Sequence, residues 1–236
     1  MILSQLETIP AAAMIVIGGK TGTAKTPLVN SLETGIDLEG FAHHRGSSFG
    51  RRVHEPPSQA NFENALAVDI MKKADFAPDR HLFFEDESRM VGPRTIPVHM
   101  WRSMSEATIA VVDMPLEFRI ERVLQEYVIE MLQEHIDEDT DNGPENYRQQ
   151  SLASLFRIRK RLGSEKYAKL ETIMKTAINE QLASGNTSSH HGWIEPLLTD
   201  YYDPMYEYQL SSKSERVVFS GDYQQVQEWA RHQRYK

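Results

Sequence analysis

The sequence predicts an α/β fold: a parallel sheet covered by helices on both faces. Three observations lead there. Wholly apolar runs recur between stretches of helical spacing, namely Met14–Ile17, Leu82–Phe84 and Ile109–Val112; strands this continuously apolar are buried on both sides. The first run passes directly into a glycine turn and then a helix, as a strand–loop–helix unit requires. The other two stop at acids, Glu85-Asp86 and Asp113, at the strand end where open α/β sheets bind ligands.

Along the chain, Met14–Ile17 is the first strand and Lys25–Leu32 the helix after it. Asn61–Lys73 has helical spacing, with Leu66, Ile70 and Met71 near one face. His81–Phe84 and Thr108–Val112 are short buried strands, and Pro115 marks the start of a long amphipathic helix over Leu116–His135. Asn146–Leu162 and Glu165–Leu182 are helices parted by Gly163-Ser164, and Ser184-Gly185-Asn186 stops the second. Trp193–Tyr202 and Pro204–Leu210 are short helices; Arg216–Ser220 returns as a strand and Tyr223–His232 closes as a helix. The expected organisation is a single domain over 1–236. It has a helical insertion at about 140–212, and a last strand and helix at 215–233 return to the sheet.

The stretch from Met14 to Thr26, MIVIGGKTGTAKT, contains the order of parts a phosphate cradle needs. Counted from Gly19, it matches G-x-x-x-x-G-K-T except that Ala24 stands for the second glycine. Gly19, Lys20, Thr21, Gly22, Thr23 and Ala24 would turn backbone N–H groups inward. Lys25 adds a point charge, and the Thr26 hydroxyl reaches a metal ion on the phosphate. If position 24 needs a left-handed backbone, alanine costs on the order of 1 kcal/mol there. The plain alternative is a glycine-rich turn of any α/β protein. With this loop the expected fold becomes P-loop NTPase-like.

Composition bounds the rest. The 236 residues contain no cysteine, which excludes disulfides, thiolate metal sites and a thiol nucleophile from this chain. No apolar run approaches the about 18 residues of a membrane span. The start MILSQLETIPAAA lacks the layout of a signal peptide, so the expectation is a cytoplasmic protein without a membrane partner. The net charge of −8 argues against a uniformly basic surface. Charge is uneven, however. Six acids lie between Glu130 and Asp141, whereas Arg157–Lys175 carries seven basic residues against two acidic ones. These are either two solvated helix faces or, for the second, a local phosphate-binding stripe.

Of the strand-end acids, Glu85 and Asp86 are favoured over Asp113 for holding Mg²⁺, because Ser88 and Arg89 follow in the same loop. Asp86 with Thr26 is the candidate metal pair; the alternative is an acid that caps the next helix. Arg119 and Arg122, three apart, share a helix face and either grip phosphates or decorate a surface. The run Phe41–Arg52 gathers His43, His44, Arg45, Ser47 and Ser48 between glycines, a donor-rich loop suited to an anionic substrate. Trp101-Arg102 is placed to stack on a base or an apolar chain, or Trp101 is simply core.

Together these segments resemble the tRNA 2-selenouridine synthase family. The resemblance rests on GGKTGTAKT (Gly18–Thr26), IDLEGFAHHRGSSFGR (Ile36–Arg51), SQANFENALAV (Ser58–Val68) and FEDESRMVG (Phe84–Gly92). It continues through ATIAVVDMPLEFRIERVLQEYV (Ala107–Val128), IRKRLG (Ile158–Gly163) and PLLTDYYDPMYEYQL (Pro196–Leu210). It implies the P-loop half of a two-domain transferase whose other half, a rhodanese-like domain, carries the catalytic cysteine. The chain is then a fragment or a split subunit, partnered by a rhodanese domain or subunit. The implied reaction S-geranylates 2-thiouridine at the tRNA wobble position from geranyl diphosphate. Selenium from selenophosphate then displaces the geranylthio group. On that reading the P-loop holds the leaving diphosphate, and Lys25, Arg45, Glu85 and Asp86 act at the reacting centre, with Mg²⁺ as the metal. His43, His44, Ser47, Ser48, Arg89, Trp101, Arg102, Arg119 and Arg122 face substrate, and Arg157, Arg159, Lys160 and Arg161 touch tRNA. Two other functions fit the same loop: a small-molecule or nucleotide kinase, and a non-catalytic tRNA-docking module.

Overall fold

A computed structural model describes residues 9–235; most of the start read above for a leader, Met1–Thr8, lies outside them. Five parallel strands form the main sheet in the order β2-β3-β1-β6-β7: β1 Met14–Gly18, β2 Gly35–Ile36, β3 Leu82–Glu85, β6 Thr108–Val112 and β7 Val217–Gly221. Strand β1 is central, with Val16 opposite Phe84 on one side and Ile109 on the other. A separate hairpin pairs β4 Met90–Val91 with β5 Arg94–Thr95.

Alternation along β1 explains why it is apolar throughout. Met14 and Val16 join one core with Phe62, Leu66, Phe84 and Met100, while Ile15 and Ile17 join another with Leu28, Val29, Ala110 and Val226. Successive side chains of a strand point to opposite faces, so a strand covered on both must be apolar at every position. Helices α3 Gln59–Phe76 and α4 Val98–Glu106 cover the first face. Helices α1 Lys25–Asn30 and α11 Tyr223–His232 cover the second. Ser58 caps α3 by accepting from Asn61 N, and Asp222 with Gln225 forms a capping box on α11.

Between β6 and β7 the chain is helical. Helices α5 Leu116–Leu124 and α6 Glu130–Glu138 are joined through a π-turn at Gln125–Ile129. Then follow α7 Gly143–Leu162 and α8 Ser164–Ser184. Helix α9 His191–Leu197 continues through a second π-turn, Leu198–Tyr202, into α10 Asp203–Ser211. These helices bury a core of their own, including Val128, Tyr147, Leu155, Met174 and Trp193. The expected helix over Leu116–His135 is therefore interrupted by one π-turn, and the two short helices at Trp193–Leu210 form one broken run. Helix α4 and the short α2, Leu38–Ala42, had no counterpart in the sequence reading. Among the described residues no helix is long and apolar enough to cross a membrane.

Candidate functional site

The loop after β1 has the backbone its spacing demands. Gly19 and Gly22 have φ of +143° and +81°. A side chain at Gly19 would meet the Val112 carbonyl at 2.5 Å, and one at Gly22 the Arg119 carbonyl at 2.8 Å. Ala24 is left-handed, with φ 63° and ψ 38°, where a side chain costs about 1 kcal/mol. Ala24→Gly should therefore stabilise the chain by roughly 1 kcal/mol in urea denaturation; an unchanged or lower midpoint would show that the loop bears no such strain. Thr23, 1% exposed, ties the turn by donating from Oγ1 to Lys20 O at 2.9 Å.

Lys25 folds back over the loop, donating to Gly19 O at 2.9 Å and Lys20 O at 3.1 Å, with the Tyr206 ring centroid 5.4 Å from Nζ. Tyr206 comes from α10, which lies across the loop. Its Glu207 accepts from Lys20 Nζ at 2.6 Å, and its Asp203 binds both terminal nitrogens of Arg119. Arg119 also donates from Nε to Thr21 O at 2.8 Å. At 3% exposure it is neither a surface arginine nor one turned to a substrate: it is the strut between the loop and α10. Arg122 pairs with Glu126 at 2.6 Å.

Gly22, Ala24, Lys25, Thr26, Arg45 and Ser47 line a cavity of about 60 Å³ with Glu39, Glu87, Tyr127 and Tyr206. Arg45 is buried, with NH2 at 3.4 Å from Glu130 and 3.3 Å from Glu134, while its NH1 is buried without a partner. Ser47 Oγ and Tyr127 OH hydrogen-bond at 3.2 Å. Glu85, 1% exposed, accepts at Oε2 from the N–H groups of Leu38 and Glu39 at the start of α2. Its Oε1 has no hydrogen-bond partner. Burial, then the charges of Glu39 and Asp37, push its carboxyl well above the usual range.

Burial likewise raises Glu39, against the opposing charge of Lys25, from 4.5 to about 7. It raises Glu87, with help from the Glu39 charge, to about 8. Both acids bind protons more tightly folded than unfolded, so between pH 4.5 and about 8 the folded state carries the extra protons and stability falls as pH rises. A denaturation midpoint that drops across this window, and drops less in Glu87→Gln, is the expected result; a midpoint rising through it would contradict this ionisation pattern.

Asp86 is not brought to Thr26. Both its oxygens accept from Lys213 Nζ, at 2.7 and 2.9 Å, and it lines a separate cavity of about 230 Å³ with Gly19, Lys20 and Asp113 over the sheet edge. Thr26 Oγ1 instead donates to Glu39 Oε2 at 3.0 Å. Among the described residues no group of three or more His, Asp or Glu side chains is arranged to hold a metal by itself. A metal at Thr26 would therefore complete its shell with water and phosphate, as Mg²⁺ does.

The remaining candidates scatter. His43 and Arg89 are exposed, as is Arg102 on α4, whereas Trp101 packs against the first sheet core. His44 is held neutral-leaning by burial and by Arg157, Arg51 and Arg52. Ser48 O accepts from Arg157 at 2.8 Å, so that arginine fastens the loop to α7. Lys160 and Arg161 are exposed, and Arg159 lies 3.6 Å over the ring of Phe156, itself 48% exposed. Sequence reading missed Glu39, Glu87, Tyr127, Asp203, Tyr206 and Glu207. The unusual run YYDPMYEYQL was the signal for the last three.

A family model described as the tRNA 2-selenouridine synthase AAA domain matches residues 12–236. The chain is 43% identical over 229 residues to a tRNA 2-selenouridine synthase of Photobacterium profundum, covering 97% of the chain and 63% of that protein. It is 44% identical over 217 residues to one of Proteus mirabilis, covering 92% and 59%, and 41% over 224 residues to one of Pseudomonas putida, covering 94% and 61%. The chain thus spans about three fifths of the length of these relatives. No solved structure matches it.

Proposed function

The chain belongs to the tRNA 2-selenouridine synthase AAA domain family, and from that premise we propose that its P-loop holds the diphosphate of geranyl diphosphate for S-geranylation of 2-thiouridine in tRNA. The observation that carries this reading is the convergence on one cavity of the P-loop, Lys25 and Arg45, whose NH1 is buried and unpartnered. A buried cationic donor left without an acceptor is costly, and an anionic oxygen placed in the cavity would satisfy it.

In the proposed step the thiouridine sulfur attacks C1 of the geranyl group. The C–O bond breaks with its electron pair going to diphosphate, and the base loses its N3 proton. Negative charge grows on the diphosphate oxygens as the bond breaks. Groups already aimed at them lower the barrier without reorganising. Lys25 must leave the carbonyls of Gly19 and Lys20 to do so, and Tyr206 and Ser47 bound the space it enters. Thr26 and Glu39, hydrogen-bonded to each other in the lining of the cavity, are the groups that would hold Mg²⁺. When bound, the ion neutralises charge on the departing diphosphate. The chain has no cysteine, so the selenium step, with selenophosphate as donor, would draw on a rhodanese cysteine of another domain or subunit.

Calorimetry with geranyl diphosphate, ATP and GTP in parallel tests the reading. Binding of geranyl diphosphate with no binding of either nucleotide is expected; tight ATP or GTP binding without geranyl diphosphate would return the site to a kinase. For tRNA, the end of α7 is the proposed contact, where Lys160 and Arg161 are exposed and Arg159 lies over the exposed ring of Phe156. A basic cluster with an aromatic neighbour suits single-stranded RNA. Reversing all three charges should lower tRNA affinity at least tenfold and flatten its salt dependence by about two to three counterions. An unchanged salt slope would make the cluster a plain helix C-terminus.

A further inference from the structure

A second pocket adjoins the phosphate cradle, and the polar chemistry above makes no use of it. Thr21, Ser47 and Tyr127 belong to both. Beyond them the walls are Phe49, Val123, Ile194 and Leu197, closed by Trp193 and Tyr202. Its free surface is wholly apolar, and no lining side chain is charged. Trp193 stacks on Phe49 with centroids 5.8 Å apart, and its indole N–H already donates to His190 Nδ1 at 3.0 Å. Among these walls the Tyr202 hydroxyl is buried without a partner; a ribose or base, with several donors and acceptors, would leave most of them unsatisfied here.

Both π-turns among the described residues supply walls to this one pocket: Gln125–Ile129 brings Tyr127, and Leu198–Tyr202 brings Tyr202. Such turns concentrate at functional sites, and these two lie about 70 residues apart in the chain yet meet in one place. A dry pocket opening onto a phosphate cradle is complementary to a molecule with an anionic head and a hydrocarbon tail.

We infer that this pocket receives the hydrocarbon tail of the ester whose diphosphate lies in the P-loop, an inference that rests on the P-loop reading above. At about 20 Å³ the pocket has room for little more than one water, so a wall must move to admit a tail. Phe49 is the movable wall. It stands on the loop between Gly46 and Gly50, whereas Val123, Ile194 and Leu197 are fixed on helices α5 and α9.

Calorimetry with inorganic diphosphate, geranyl diphosphate and the longer farnesyl diphosphate tests the assignment. Wild type should bind geranyl diphosphate at least tenfold more tightly than inorganic diphosphate. Leu197→Phe, which fills the pocket, should weaken geranyl diphosphate at least tenfold and leave inorganic diphosphate unchanged. Phe49→Ala should shift the preference at least fivefold toward farnesyl diphosphate, and it reads the same pocket if Leu197→Phe does not fold. Equal wild-type affinity for inorganic and geranyl diphosphate, or equal losses of both in Leu197→Phe, would overturn the tail pocket and leave the P-loop reading standing. No binding of inorganic diphosphate would overturn that reading, and the tail pocket with it.

Discussion

Lys25→Ala should weaken geranyl diphosphate binding roughly a hundredfold while leaving tRNA affinity within about twofold. Charge-assisted hydrogen bonds contribute about 1.5–3 kcal/mol each, and Lys25 is the P-loop cation whose ammonium now rests on loop carbonyls, ready to exchange them for phosphate oxygens. Removing it leaves Arg45 as the buried cation lining the cavity, already shared with Glu130 and Glu134. The basic end of α7 lies on a different element and is untouched. Parallel titrations of geranyl diphosphate and tRNA check this. Equal loss of both ligands would sink the division of labour between loop and helix.

Asp203→Ala should cost about 3–5 kcal/mol of stability, the largest effect expected of a single surface-helix substitution in this chain. Arg119 is 4% exposed at its side chain and Asp203 13%. Deleting the carboxylate would strand a guanidinium in a space water scarcely reaches. The same change frees α10 from the loop, because Arg119 also holds Thr21 O. Urea denaturation reads the first consequence, and proteolysis within Asp203–Ser211 reads the second. A loss below about 1 kcal/mol would mean that water replaces the pair, and that α10 is held by Tyr206 and Glu207 instead.

Much of the fold was legible because strands buried on both faces leave a one-dimensional trace. Met14–Ile17 and Ile109–Val112 are apolar at every position, and no helix of ordinary amphipathicity looks like that. The glycine loop after β1 was legible for a similar reason: its form is carried by backbone geometry over eight consecutive residues, Gly19–Thr26. The misread elements are those whose shape comes from partners. Helix α4 is short and only weakly signalled by Pro97, and the π-turn at Gln125–Ile129 changes neither composition nor periodicity enough to show. The strand-end acids were found, but their roles were not. Glu85 caps α2 through Leu38 and Glu39, residues 47 and 46 positions away, and Asp86 meets Lys213 across 127.

The sequence by itself determined the family, the sheet and the position of the glycine loop after β1, because each is written in local pattern: apolar continuity, glycine spacing and long matching runs. Only the tertiary structure decided which polar groups face the cavity. Arg119 and Arg122 are three residues apart on one helix, yet one is a buried strut to Asp203 and the other pairs along its own helix with Glu126. Glu39 and Glu87 line one cavity with Lys25 and Thr26, while Asp86, beside Glu87 in the chain, turns to Lys213. A charge's burial and partner depend on what packs against it from distant segments. That information resides in the assembled elements and not in the residue's own neighbours.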